Sequence, residues 1–202
     1  MKKFFSENKK AWTPWVICAV VAFVILYAIG CYNDFVKLQE QATTELSNVQ
    51  AQYQRRADMM PQLAKIVKAY AKHEKETFEE VAKARSSVGQ VKLDADNLTP
   101  EMMKQYSAAQ GELASAFSKL MVVAEKYPEL KASENFRSLQ VQEEGTENRI
   151  NEARRKYNDA VQEYNQTIRQ MPEVLFARLF GFQSMPKFEA AAGAEKAPDL
   201  DI

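Results

Sequence analysis

Histidine occurs once in this chain, at position 73, and that scarcity excludes much chemistry. A di-iron carboxylate bundle needs two Glu-x-x-His pairs, and none is present. His73-Glu74 is followed by Lys75-Glu76-Thr77, so the zinc-protease pattern His-Glu-x-x-His fails at its second histidine. No glycine-rich phosphate loop and no Gly-x-Ser-x-Gly elbow occurs. The two cysteines, Cys18 and Cys31, cannot build a disulfide framework. Glycine (6) and proline (7) are too few for a loop-rich or all-β fold, and β-branched residues are sparse beyond the first 30 positions. Charge of one sign is also missing. The 27 basic residues balance the 27 acidic ones, so no global field favours nucleic acid. These absences argue against an enzyme and call for no metal or cofactor. Asn97-Leu98-Thr99 and Asn165-Gln166-Thr167 match the glycosylation sequon by chance.

What is present is one long apolar run. Ala11 to Tyr32 holds 22 residues without a charge. At a helical rise of about 1.5 Å it reaches roughly 33 Å, enough to cross a hydrocarbon core of about 30 Å. Trp12 and Trp15 at one end and Tyr27 and Tyr32 at the other match the aromatic belts of a membrane anchor. Pro14 sits in the first turn, where a missing N–H costs little. The alternative is a cleaved lipoprotein signal, with Ala28-Ile29-Gly30 before an acylated Cys31 and the N-terminal lysines as its basic region. The spanning reading is preferred. The usual leucine of the lipobox is Ala28, and the run is long with two tryptophans inside it. Residues 1–10 carry Lys2, Lys3, Lys9 and Lys10 against Glu7, whereas Asn33 to Gln52 carry only Lys37 with three acids. The positive-inside rule then predicts a single-pass protein of the inner (cytoplasmic) membrane, with its N-terminus cytoplasmic and the rest across the bilayer.

Beyond the anchor the sequence predicts an all-α fold, an antiparallel up-down four-helix bundle over residues 33–188. Phe35, Leu38, Ala42, Leu46, Val49, Tyr53 and Ala57 make one apolar stripe, giving a helix over 33–58. Pro61 predicts a chain reversal there, with Arg55 and Arg56 closing one helix and Asp58 opening the next. The second helix is expected over 61–88, ended by Gly89. Thr99-Pro100-Glu101 predicts a third helix over 99–127. A fourth follows over 133–171 with near-heptad apolar spacing. The expected core includes Tyr70, Val81, Leu113, Leu120, Phe136, Ile150, Tyr157 and Tyr164. Val174 to Phe182 is short and aromatic and reads as a cap on an open bundle end, in preference to a segment dipping into the membrane interface. Residues 189–202 read as a mobile tail.

Several stretches together resemble the LemA family of bacterial membrane proteins. Tyr32-Asn33-Asp34-Phe35-Val36 is similar to the family's segment just after the anchor, and Arg55-Arg56-Ala57-Asp58-Met59-Met60-Pro61 to its Arg-Arg-x-Asp stretch. Glu147-Asn148-Arg149-Ile150, Ala153 to Asn158, Phe180-Gly181-Phe182 and Pro186-x-Phe188 continue the likeness. The resemblance implies an N-terminal anchor and a helical bundle without an established activity. It offers a membrane protease as candidate partner and envelope protein quality control as the setting. Together these readings make the chain a non-enzymatic, membrane-anchored adaptor or scaffold, with membrane lipids and an unidentified protein as partners. A ligand-binding or sensing module of the envelope is the alternative.

Overall fold

The computed structural model describes residues 4–91, 93–95 and 97–189, with backbone only for 4–11 and 13. Lys2, Lys3 and the tail beyond Glu189 lie outside the described residues, as do the side chains of Lys9 and Lys10. Every regular element described is helical: α1 Phe4–Tyr70, α2 Lys75–Gln90, α3 Pro100–Glu125, α4 Pro128–Ala132, α5 Glu134–Thr167 and α6 Glu173–Phe180. The chain divides into two compact units. One joins Met1–Gln41 to Gln162–Ser184, and the other joins Ala42–Val161 to Met185–Ile202.

The largest departure from expectation is at Pro61. There is no reversal, and α1 runs through it without a break for 67 residues. A proline inside a helix forfeits its bond to the carbonyl four residues back, at about 3 kcal/mol. The offset comes from the apolar stripe, which keeps one phase across the proline. Leu46, Val49, Tyr53, Met60, Leu63 and Val67 are all buried, and each large side chain contributes about 1.5–3 kcal/mol. A reversal at Pro61 would break that stripe in two. Replacing Pro61, which is exposed, by alanine is therefore expected to raise stability by about 1–3 kcal/mol in denaturation experiments. A loss would mean that the proline serves a turn.

The reversal comes ten residues later. Residues 71–74 leave the helix, and α2 starts at Lys75. This also removes Tyr70 from the core, where it is 42% exposed. The buried row is Met60, Leu63, Val67 and Ala71, and Tyr70 stands one residue, about 100° of helix, off that row. Gly89 does not end α2 but lies within it.

In the second unit, α3 begins as its cap predicts. Thr99 Oγ1 accepts from Met102 N at 3.2 Å, with Pro100 in the first turn. Gln50 Nε2 donates to the Leu93 carbonyl at 3.1 Å and pins the connection between α2 and α3. One core draws on every helix of the unit. Ala57, Leu63 and Val67 come from α1, Val81 and Ala84 from α2, and Leu113, Leu120 and Val123 from α3. Leu130 of α4 and Phe136 and Leu139 of α5 complete it. Tyr53 meets Tyr106 and Arg56 meets Gln110, so α1 and α3 run in the same direction. Arg56 meets Glu147 while Met59 meets Thr146, so α5 runs against them.

Candidate functional site

Two places carry information about function. The first is the apolar part of α1. Trp12 and Trp15 are 71% and 78% exposed, and Val16, Ile17, Val20, Phe23, Ile25 and Leu26 also stand free. Exposure all round a helix of this hydropathy fits lipid rather than water as its surroundings. Tyr27 is 37% exposed and Tyr32 45%, and both touch aromatic rings of the α6 segment. Cys31, the alternative lipid attachment point, is buried within an unbroken helix.

The second place is a polar cluster inside the second unit. Arg56 is 4% exposed. Its Nη1 donates to Glu147 Oε1, and its Nη2 donates to the Gln110 carbonyl at 2.9 Å and to Gln110 Oε1 at 3.1 Å. Its guanidinium lies 5.2 Å from the Tyr53 ring centre, and Tyr53 meets Tyr106 edge-on at 5.4 Å. Glu143, also 4% exposed, completes the group. Arg56 Nε, Gln110 Nε2 and Glu143 Oε2 have no hydrogen-bond partner. Burial and the neighbouring Glu147 push the Glu143 carboxyl up to about 7, with Arg56 opposing them. Burial likewise pushes Tyr106 up to about 12.

Arg56 was expected at a helix end. Instead it lies mid-helix and points inward. Arg55 and Asp58 flank it on the exposed side, where Gln54 Nε2 donates to Asp58 Oδ1 at 2.8 Å. None of Arg55, Asp58 and Pro61 forms a turn, because no helix ends there. Asp58→Ala is therefore expected to change stability by no more than about 0.5 kcal/mol, not the larger loss of a removed cap.

The other sequence-predicted core residues are buried: Val81, Leu113, Leu120, Phe136, Ile150 and Tyr157 in this unit, and Tyr164 in the other. The polar cluster itself was missed, although the spacing shows it. Glu143 lies seven residues from both Phe136 and Ile150. Gln110 lies seven from Met103, and Arg56 seven from both Val49 and Leu63. Each occupies a core position of its own heptad-like stripe, and polar residues at such positions fix register at a cost in stability.

The protonation of Glu143 sets a pH dependence. Its folded value lies above the ordinary 4.5, so the folded state holds the proton more tightly. Its contribution is complete below about 4.5 and is lost as pH rises through about 7. Glu143→Gln is expected to flatten that part of the pH profile and to stabilise the protein above neutrality by on the order of 1–3 kcal/mol. An unchanged profile in denaturant titrations at several pH values would show that Glu143 is solvated.

A clasp closes the same unit. Tyr157 Oη donates to the Pro186 carbonyl at 2.7 Å. Asn158 and Phe188 exchange two bonds, at 2.9 and 2.8 Å, and Arg154 lies 5.1 Å over the Phe188 ring. Two stretches of the family resemblance, Ala153 to Asn158 and Pro186-x-Phe188, thus meet here.

The sequence model of the LemA family matches residues 45–201, more than three-quarters of the chain. The protein belongs to the LemA family. Curated relatives include magnetosome protein MamQ of Magnetospirillum gryphiswaldense, 26% identical over 195 residues, covering 88% of this chain and 71% of the relative. MamQ 1 of Paramagnetospirillum magneticum is 25% identical over 190 residues, 86% of this chain and 70% of its own. Protein LemA of Metamycoplasma hominis is 26% identical over 153 residues, 75% of this chain and 65% of its own. This LemA-family chain is a helical, membrane-associated protein with, among the described residues, one N-terminal apolar helix long enough to span a bilayer.

Proposed function

We propose that this LemA-family protein is a non-enzymatic, single-pass scaffold of the bacterial cytoplasmic membrane, with its N-terminus in the cytoplasm and its helical domain across the bilayer. The observation that carries this reading is the anchor, whose apolar side chains stand exposed on every side over residues 14–26. The lysines before it and the acids after it support the orientation. Protease accessibility in intact spheroplasts tests this: digestion of the helical domain is expected, and its protection refutes the orientation.

One enclosed space, among Met59, Met60, Leu63, Phe117 and Leu139, is about 10 Å³, far below the roughly 300–1,000 Å³ of ligand sites, which supports the scaffold reading at that place. The sensing alternative rests on an open groove of about 560 Å³ lined by Gln54, Arg85, Ser86 and Gln90. Relatives named as magnetosome proteins align over most of this chain, which fits a shared structural module better than a shared reaction. A partner is part of the proposal, and a membrane protease in envelope quality control is the candidate. Crosslinking through the intact anchor is expected to enrich that protease over an anchor-only control. Equal recovery in both would remove it.

A further inference from the structure

The α6 segment presents an apolar face that nothing in its own unit covers. Met171 is 72% exposed, Leu175 58% and Leu179 75%. Leu175 and Leu179 are one helical turn apart on the same face. The neighbouring face, about 100° round the helix, is fixed to α1: Phe176 packs on Tyr27 at 5.7 Å and Phe180 on Tyr32 at 5.2 Å, and Phe182, just beyond the helix, packs on Tyr32 at 5.6 Å. Glu173 Oε1 accepts from Tyr27 Oη at 3.0 Å. Tyr164 Oη donates to the Gln183 carbonyl at 2.9 Å and holds the returning chain.

These contacts set the depth of the segment. Residues 176, 180 and 182 meet residues 27, 32 and 35 in ascending order, so α6 runs alongside α1 in the same direction. Its first turn is level with Tyr27, five residues inside the uncharged run that ends at Tyr32. Five residues are about 7.5 Å of helix, so α6, standing alongside α1, starts about 7.5 Å inside the end of that run and reaches the end where Phe180 meets Tyr32. Met171 precedes that turn. Arg169 and Arg178 are exposed and have the length to keep their charges at headgroup level.

We propose that residues 171–179 form a second membrane contact, immersed in the interface of the bilayer that α1 crosses, with Met171, Leu175 and Leu179 in lipid. The occupant is the bilayer because the face is continuous with the lipid-exposed surface of the anchor at Tyr27 and Tyr32. The membrane depth of the anchor fixes the depth of the segment. The inference rests on the spanning reading of α1.

The test uses the full chain in vesicles, with Trp12 and Trp15 replaced by phenylalanine and one tryptophan introduced at a time. Leu175→Trp and Leu179→Trp are compared with Val20→Trp in the anchor, in phosphatidylcholine without bromine and with bromine on the upper or on the lower acyl carbons. Both segment variants are expected to emit to the blue and to lose emission in brominated lipid, Leu175→Trp more than Leu179→Trp. Water-like emission without quenching, beside a quenched Val20→Trp, overturns the proposal and leaves the anchor standing. Blue emission without quenching also overturns it, because a protein surface then covers the face. If Val20→Trp is itself unquenched, the spanning reading falls and the proposal falls with it. Leu175 and Leu179 are exposed, so neither substitution removes a core contact.

Discussion

Arg56→Met is expected to lower the stability of the full chain by about 2–4 kcal/mol, measured by denaturant unfolding in detergent. The substitution deletes three hydrogen bonds at once and leaves the Gln110 carbonyl and Glu147 without their cation. Breaking a buried pair by removing one partner costs about 3–5 kcal/mol. Glu147 is 40% exposed and recovers part of that from water, which lowers the expected figure. The triple change Arg56→Met, Gln110→Leu, Glu143→Leu is expected to restore most of the loss, because an apolar replacement of a buried network is often neutral. What the triple variant then loses is helix register, visible as broadened spectra of the bundle residues. A triple variant as unstable as Arg56→Met would show that the network stabilises the fold outright.

Ile150→Ala is expected to cost about 2–5 kcal/mol, the range for large-to-small changes in a closed core. Ile150 is 2% exposed in the middle of α5, between Thr146 and Ala153, which are also buried. Val141 lies on the same helix but is 67% exposed, and Val141→Ala is expected to change stability by no more than about 0.5 kcal/mol. Equal effects at the two positions would mean that the phase of α5 is wrong.

Much of the architecture was legible from periodicity. The anchor shows as a charge-free run, α3 as a capped start at Thr99, and α5 as a long stripe from Phe136 to Tyr164. Two departures from the local sequence rules share one physical source, tertiary packing. Pro61 is a strong local signal for a helix end, yet the stripe on both sides of it keeps one phase, and burial along it offsets the proline. Ala71 to Glu74 contains no residue type that breaks a helix, yet the chain turns there. The turn lets Val81 and Ala84 reach the core that Leu63 and Val67 share. The polar cluster was overlooked for a different reason. Reading only apolar residues into a stripe leaves Arg56, Gln110 and Glu143 as gaps, although each gap lies in phase with its neighbours. A polar residue at an in-phase position on each of three helices is the signal that they meet at one level.

The account depends on α1 remaining whole in the mature protein and crossing the bilayer. Intact mass spectrometry of the protein extracted from membranes tests this directly. The predicted result is a species that retains the residues of α1 before Cys31 and carries no acyl groups. A species that begins at Cys31 and carries lipid chains would contradict it.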